Sequence, residues 1–390
     1  MKKTLLTICL VWMCFSLSAQ KIIDLSGKWS FSIDRQDNGE KEKWFSHTLN
    51  DFINLPGSMP EKLKGDEVTA KTQWTGSLYD SSYYYNPYME KYRKEGNIKF
   101  PFFLTPDKHY VGAAWYQKEV NIPADWKGER ILLFLERPHI ETTVWVNGQK
   151  TGMQNSLCVP HQYDITRYVR PGKCTITIRV DNRIKEINVG PDSHSITDQT
   201  QGNWNGIVGR ICLQTTPKTY FDDIQIYPEP EQKLARVKVV IKGTGTAKVK
   251  LSAESFNTDK KHIVPAIQQE IKLNKGVTET EMVLPMGNDM LLWDEFHPAL
   301  YKLKAEVTNG KKTEIKEIQF GMRRFEIKGK WFYVNGRKTQ LRGTVENCDF
   351  PLTGYAPMDV ESWERVFRIC RSYGLNHMRF HSFCPPEAAF

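Results

Sequence analysis

The stretch RILLFLERPHIETTVWVNG, residues 130–148, decides the class of fold. Residues 130–136 are an apolar run of strand length, and residues 142–146 end at Asn147-Gly148, a pair that favours a tight turn between two strands. Further along, residues 174–180 alternate polar and apolar side chains with the period of two that a half-buried strand requires. Many short strands separated by turns indicate a sandwich or a jelly roll, so we predict a mainly β protein.

A change of composition near residues 228–230, Pro-Glu-Pro, separates a second β-rich region from the first. From residue 235 to about residue 319, Lys and Glu alternate with Val, Ile and Leu. One apolar face and one charged face are typical of a small two-sheet sandwich. We therefore predict a jelly-roll domain at residues 20–228 and an immunoglobulin-like β-sandwich at residues 229–323.

From residue 324 strands alternate with helices. Residues 340–346 and 375–380 have the pattern of strands. Between them, apolar residues recur at helical spacing after Asp359, the expected N-cap, and Gly374 stands where the helix should end. This order predicts that residues 324–390 are the first strands and helices of a β/α (TIM) barrel. A whole barrel needs about 200 to 250 residues, so this segment is expected to be incomplete.

The N-terminus has the pattern of a secretory leader. Lys2 and Lys3 precede an apolar run at residues 5–15 that is too short for a membrane anchor, and Ala19 stands at the expected cleavage point. We expect residues 1–19 to be a signal peptide and the mature chain to be secreted or periplasmic, with no membrane anchor. The formal net charge is +9, to which Lys2 and Lys3 contribute. Because the sequence contains no run of like charges, nucleic acid is not an expected partner.

Six cysteines follow the leader, which is far too few for a disulfide scaffold. We expect most of them to be buried free thiols. The spacing of Cys and His residues near the C-terminal end fits no zinc pattern, so neither a metal nor another cofactor is expected.

A Tyr-rich segment at residues 63–110 interrupts the strand pattern and reads as an insertion or a long loop. It could wall a sugar site or simply fold onto its own aromatic rings. The eleven Trp residues leave the same two possibilities open, because flat rings suit both sugars and β-rich cores.

Several motifs, taken in their order, resemble glycoside hydrolase family 2, which includes β-galactosidases and β-glucuronidases. They include residues 24–31 (DLSGKWSF), 144–148 (VWVNG), 203–210 (NWNGIVGR), 298–301 (PALY), 320–323 (FGMR) and 341–343 (LRG). The resemblance covers nearly the whole mature chain. It implies hydrolysis of O-glycosyl bonds by a retaining exo-β-glycosidase, β-galactosidase-like first and β-glucuronidase-like second. Retaining chemistry uses two glutamates, which the resemblance puts on later barrel strands, so we expect none of the catalytic pair within 390 residues and no activity from this chain alone.

The same resemblance suggests substrate-binding residues, of which the barrel segment supplies four. Arg379 and His381 end its second strand, and Glu346 and Asn347 end its first. The His comes two residues after the Arg, whereas the familiar β-galactosidase pattern has it three residues after, so a structural role for His381 stays open. Glu346 and the nearby Asp349 could bind a sugar or a cation, or be solvated loop carboxylates.

The jelly-roll region supplies three further candidates: Asp198, Asn203 and Trp204 lie in a segment that reaches the barrel mouth in this family. Trp204 could stack on a sugar or belong to the core.

Two other functions are compatible with a β-rich exported chain. One is a non-catalytic carbohydrate-binding module, and the other is a purely structural array of sandwiches. Unpaired parallel strands argue against the first, because a stand-alone binder has no use for them. The ordered motifs argue against the second, so carbohydrate is the expected partner.

Overall fold

The structure is a computed structural model that describes residues 20–73, 75, 85–99, 102–186, 189–190 and 193–390. The expected signal peptide at residues 1–19 and part of the Tyr-rich segment lie outside these residues. Strands predominate in the described chain, as the sequence predicted. Within it, no helix has both the length and the apolar character needed to cross a membrane. Two compact units are present: residues 21–216 together with residues 325–390 form the first, and residues 217–324 form the second.

Two antiparallel sheets form most of the first unit. The strands of one sheet are β1 (Ile22–Asp24), β4 (Gly57–Ser58), β8 (Arg130–His139), β11 (His161–Asp164) and β13 (Gly206–Thr216), in the order β1-β13-β8-β11 with β4 beside β13. The strands of the other are β2 (Gly27–Asp34), β3 (Asp51–Leu55), β7 (Ala113–Ile122), β9 (Glu141–Val146), β10 (Gln149–Asn155) and β12 (Gly172–Asp181), in the order β10-β9-β12-β7-β2-β3. A short separate pair consists of β5 (Asp66–Glu67) and β6 (Lys108–His109).

The two sheets share one apolar core. Its fully buried side chains include Leu133 of β8, Trp29 of β2 and Ile178 of β12. Because successive residues of a strand point to opposite faces, the alternation at residues 174–180 turns every second side chain into this core. Burial of apolar surface stabilises by about 25 cal/mol per Å², so this shared core is the main source of the unit's stability. The result is the two-layer β-sandwich that the sequence predicted.

Residues 325–390 add two small sheets to the first unit. β19 (Phe325–Lys328), β20 (Trp331–Val334) and β21 (Arg337–Thr339) form an antiparallel sheet in which β19 and β20 are a hairpin. β22 (Gly343–Glu346) and β23 (His377–Phe380) pair in parallel and are joined through the helix α1 (Val360–Ser372).

Helix α1 follows the predicted pattern closely. The side chain of Asp359 accepts a hydrogen bond from the backbone N–H of Ser362 at 2.8 Å and so caps the helix. Trp363 is buried and its ring contacts that of Phe380 edge-on, which packs α1 against β23. The described chain ends in a short turn of 3₁₀-helix, Glu387–Ala389.

The second unit is one hydrogen-bonded ladder of five antiparallel strands. They are β14 (Tyr220–Glu229), β15 (Leu234–Phe256), β16 (Ile263–Pro285), β17 (Leu300–Asn309) and β18 (Lys312–Phe320), in the order β14-β15-β17-β18 with β16 also paired to β15. The first half of β15 pairs with β14 and its second half with β17, with an irregularity between Gly243 and Gly245. Val239 and Leu251, from the two halves, belong to the same core, so the ladder folds back over itself.

The boundary that we predicted between residues 228 and 229 differs from the structure. β14 pairs along β15 from Tyr220 to Glu229, and the second unit begins at Pro217. The prediction followed the change of composition at Pro228, but Pro228 lies inside β14, opposite Ala235 of β15. Proline can occupy such a position at the edge of a sheet, where its missing N–H is not required.

Candidate functional site

The carboxyl ends of β22 and β23 lie side by side. The strands pair in parallel with Glu346 opposite Phe380, and the backbone N–H of His381 donates to the carbonyl oxygen of Glu346 at 2.9 Å. The residues that follow the two strands therefore emerge at one edge. In sheets with helical crossovers, this is the edge at which ligand-binding side chains collect.

Glu346 is a partly buried carboxyl group with an unbalanced environment. Its Oε1 accepts a hydrogen bond from the backbone N–H of Cys348 at 3.0 Å, whereas its Oε2 is buried without a partner among the described residues. Burial raises the pKa of Glu346, and the neighbouring charge of Asp349 raises it further. Such a carboxyl can hold a proton to give away, or accept one from a hydroxyl group.

Two histidines meet beside this carboxyl. The rings of His194 and His381 are 4.1 Å apart between centroids, and Nδ1 of His194 lies 2.8 Å from the carbonyl oxygen of Asn347. Partial desolvation lowers the pKa of His381, and the charges of His194 and Arg379 lower it further. This shift favours the neutral form of His381, in which one ring nitrogen donates and the other accepts.

A loop of the sandwich, residues 193–205, lies against the end of β23. The hydroxyl groups of Ser193 and Ser195 both donate to the carbonyl oxygen of Ser382, at 2.8 and 3.3 Å. This loop delivers His194 to the strand ends. We refer to the resulting group of side chains as the strand-end cluster: His194, Glu346, Asn347, Asp349, Arg379 and His381.

The remaining two members of the cluster are exposed carriers of charge. Arg379 is in register with Val345 across the parallel pair, and its side chain is exposed. Burial raises the pKa of the Asp349 carboxyl, and the neighbouring His194 opposes that rise. The structure thus brings together the four candidates from the barrel segment.

Asp198 does not belong to the strand-end cluster. It is almost fully buried, and its Oδ2 accepts a hydrogen bond from the backbone N–H of Thr75 at 2.5 Å. Its Oδ1 lies 3.4 Å from Nε2 of His109, and neither of these two atoms makes a hydrogen bond within the described residues.

Asn203 and Trp204 are also buried and lie away from the cluster. Oδ1 of Asn203 is 2.9 Å from Nε2 of His139, and its Nδ2 donates to the carbonyl oxygen of Asn182 at 2.7 Å. The indole of Trp204 stacks on the ring of His139 at 4.5 Å between centroids and is only 3% exposed. Burial lowers the pKa of His139 to about 3, so the ring under Trp204 is neutral. In this structure Trp204 is a core side chain.

Sequence reasoning missed the contributions of His194, Ser193, Ser195 and Ser382 to the site. The signal that could have indicated them is the run of short polar residues that leads into Asp198. Among the described residues, no group of three or more His, Cys, Asp or Glu side chains has the arrangement of a metal site.

Two family models match the chain. The model described as "Glycosyl hydrolases family 2, sugar binding domain" matches residues 22–217, and the model described as "Glycosyl hydrolases family 2" matches residues 219–323. Together they span well over half of the sequence. The chain belongs to glycosyl hydrolase family 2. The resemblance seen in the sequence motifs is thereby confirmed.

Curated family 2 relatives share about a quarter of its residues. A β-glucuronidase of Paenibacillus borealis is 24% identical over 355 residues, which is 86% of this chain and 51% of that protein. A β-galactosidase of Thermoanaerobacter pseudethanolicus is 24% identical over 301 residues, which is 73% of this chain and 38% of that protein. The chain therefore spans about half of the length of such relatives, or less.

Solved structures of family 2 enzymes share the fold. A β-glucuronidase of Ruminococcus gnavus matches with a TM-score of 0.65 at 19% identity, over 95% of this chain and 56% of that one. A β-glucuronidase of Bacteroides uniformis matches with a TM-score of 0.68 at 17% identity, over 95% of this chain and 40% of that one. At such identities the likeness concerns the fold alone.

Proposed function

We propose that this family 2 chain supplies the sugar-binding edge of a retaining, exo-acting β-glycosidase. The reaction is hydrolysis of the O-glycosyl bond of a terminal, β-linked sugar residue. The observation that carries the proposal is the strand-end cluster. It joins carboxyl, amide, imidazole and guanidinium groups at one edge, and such a mixture can donate to and accept from the hydroxyl groups of a sugar ring.

The proposal gives a role to each of the four residues of the cluster that come from the ends of β22 and β23. Neutral His381 donates to one sugar hydroxyl, while Glu346 and Asn347 bond others through their side-chain oxygens. Arg379 pairs with a carboxylate, either the catalytic nucleophile of the enzyme or the carboxylate of a uronic acid.

The strand pair and its crossover helix support a β/α-barrel architecture for the catalytic part. We propose that β22, α1 and β23 begin such a barrel, because parallel strands joined through a helix are its repeating unit. Catalytic residues of these barrels lie at the carboxyl ends of the strands. The strand-end cluster lies at that end of β22 and β23.

A retaining glycosidase also needs two carboxyl groups about 5 Å apart. One acts as the nucleophile and the other as the general acid and base. Glu346 and Asp349 come from a single short segment, and Oε1 of Glu346 is occupied by the backbone of Cys348. We infer that the catalytic pair belongs to later strands, as in the family. Residues 1–390 alone are then expected to bind sugar without cleaving it.

Substrate preference is proposed as β-galactoside first and β-glucuronide second. Binding of methyl β-galactoside and methyl β-glucuronide to the chain can be followed by saturation-transfer NMR. A panel of nitrophenyl β-glycosides tests cleavage by the same protein. We expect binding of both glycosides to be weakened at least tenfold in His381→Ala, and binding of the glucuronide to be weakened at least tenfold in Arg379→Ala. Lys330→Ala, a control in the turn before β20, should leave binding unchanged, and no protein should give enzyme-dependent release of nitrophenol.

Two outcomes would contradict this proposal. Release of nitrophenol that disappears in Glu346→Gln would mean that the reacting groups are complete within this chain. Sugar binding that is unchanged in the Arg379 and His381 variants would place the binding surface elsewhere and favour a non-catalytic carbohydrate-binding module.

Export is the remaining part of the proposal. It is supported by the charged and apolar pattern of residues 1–19. N-terminal sequencing of secreted or periplasmic protein should begin near Gln20. Recovery of a cytoplasmic product that retains Met1 would refute it.

A further inference from the structure

Three thiols from distant parts of the sequence converge in the first unit. Cys158 follows β10, Cys348 follows β22 and Cys384 follows β23. The guanidinium of Arg137 connects two of these segments, because its Nη1 donates to the carbonyl oxygen of Cys384 at 2.7 Å and its Nη2 to that of Cys158 at 3.3 Å. One side chain thus holds the two backbones within reach of each other.

The same two cysteines line one small cavity. It measures about 20 Å³ and is walled by Cys158 and Cys384 together with Arg137, Trp204 and Phe383. The two cysteines therefore border one space that the surrounding side chains leave unfilled.

The three thiols differ in their availability. Cys348 is fully buried, and its thiol donates to Oε1 of Gln201 at 3.0 Å. Cys384 is exposed and Cys158 is partly exposed. Burial raises the pKa of Cys158, while the backbone N–H of Cys384 and the charge of Arg137 lower it.

The other three cysteines of the described chain have no such arrangement. Cys174 and Cys212 are buried within β12 and β13, and Cys370 lies in α1. We propose that Cys158 and Cys384 are a disulfide-forming pair, oxidised by a disulfide donor such as a thiol oxidoreductase or oxidised glutathione.

The reaction balances in two exchange steps. The thiolate of exposed Cys384 attacks one sulfur atom of the donor disulfide, which forms a mixed disulfide and releases one donor thiolate. The thiolate of Cys158 then attacks Sγ of Cys384, which forms the internal disulfide and releases the second thiolate. Each released thiolate takes up one of the two protons that the cysteines lose. Two electrons pass from the cysteine pair to the donor.

The bond would join the sandwich to the strand ends. Cys384 lies two residues after Ser382, whose carbonyl oxygen already receives the hydroxyl groups of Ser193 and Ser195. A disulfide between Cys384 and Cys158 would add a covalent link to these hydrogen bonds. It would hold the segment that follows His381 against the sandwich. This inference does not depend on the proposed function.

Peptide mapping tests the pair directly. The reduced chain is incubated with oxidised glutathione, quenched with iodoacetamide and digested with trypsin, which leaves Cys158, Cys348 and Cys384 on three separate peptides. Mass spectrometry should find the peptides of Cys158 and Cys384 joined in the wild type and in the control Cys370→Ser. Neither Cys158→Ser nor Cys384→Ser should give a joined peptide, and Cys384 in the Cys158→Ser variant should retain glutathione.

A thermal melt adds a second readout. The oxidised wild type and Cys370→Ser should unfold at a higher temperature than their reduced forms, and a reductant should abolish the difference. Two results would overturn the proposal: a joined peptide that contains Cys348, or a wild-type protein in which Cys384 carries glutathione and no joined peptide forms. Both come from the wild type, so they remain decisive even where a variant fails to fold.

Discussion

Glu346 is the partly buried carboxyl group of the strand-end cluster. Its buried Oε2 has no partner among the described residues, and burial raises its pKa. A carboxyl whose folded-state pKa is raised binds its proton more tightly in the folded protein than in the unfolded one. The folded state therefore loses stability as pH rises from the ordinary carboxyl pKa of about 4.3 through the raised value.

Glu346→Gln should stabilise the protein at pH 7. The substitution removes a partly buried charge of which one oxygen is unpaired, and we expect a gain on the order of 1 kcal/mol in the free energy of unfolding. The gain should shrink near pH 4, where Glu346 itself is protonated. Urea unfolding at the two pH values measures it, with Glu361→Gln as a control, because Glu361 is exposed in the first turn of α1. A variant that is equally stable or less stable at pH 7 would contradict the assigned environment.

Trp204→Ala should be strongly destabilising. Its indole is buried and stacks on the neutral ring of His139, so its removal leaves a cavity that costs about 3–5 kcal/mol. Trp331→Ala is the matched control, since Trp331 is 43% exposed on β20 and its loss should cost about 1 kcal/mol or less. Chemical denaturation of both variants gives the comparison. If both variants lost equally little stability, Trp204 would not be a core side chain and would be better explained as a sugar contact.

At the residue scale, the sequence indicated which side chains follow β22 and β23 but not what meets them. Strand alternation and family motifs act over a few residues, and they placed Glu346, Asn347, Arg379 and His381 at one edge. The ring contact between His194 and His381 joins positions far apart in the chain, which no local pattern encodes. The sequence also left Trp204 open between core and sugar contact, because an indole suits both.

At the scale of elements, α1 shows how a short signal specifies a boundary. Asp359→Ala should destabilise the first unit by about 1 kcal/mol, because the backbone N–H of Ser362 loses its acceptor. Asp359→Asn keeps an oxygen at the same position and should lose only a few tenths of a kcal/mol. Thermal unfolding of the two variants tests this, and an equal loss in both would assign the effect to the charge rather than to the cap.

Long strands were harder to predict than the helix. Residues 236–242 and 247–251 have separate alternating patterns, yet they belong to the single strand β15. Gly243 and Gly245 lie between them, where a turn is the usual reading of the sequence. The strand continues instead with an irregular register, because pairing to β16 on one side persists through this point. Hydrogen bonding between β15 and β16 therefore outweighs the preference of Gly243 and Gly245 for a turn.

At the scale of the whole molecule, the second unit should fold by itself. Residues 217–324 have their own core, which includes Val237, Leu251 and Leu303, and their own complete ladder. A domain with these properties unfolds cooperatively when isolated. The fragment should therefore give one sigmoidal thermal transition and a strand-type circular dichroism spectrum. An insoluble fragment, or a melt without a transition, would contradict the assigned unit.

The contact between Ser193 and Ser382 has a consequence for biosynthesis. The two residues are 189 positions apart in the chain. At a translation rate of about 5–20 residues per second, the partner of the 193–205 loop leaves the ribosome roughly 10–40 s after the loop itself. The two sheets are fully synthesised once β13 has been made, shortly after the loop, but the loop has no strand ends to bind until residue 382 follows. The contacts that complete the first unit therefore cannot form until the entire second unit has been made.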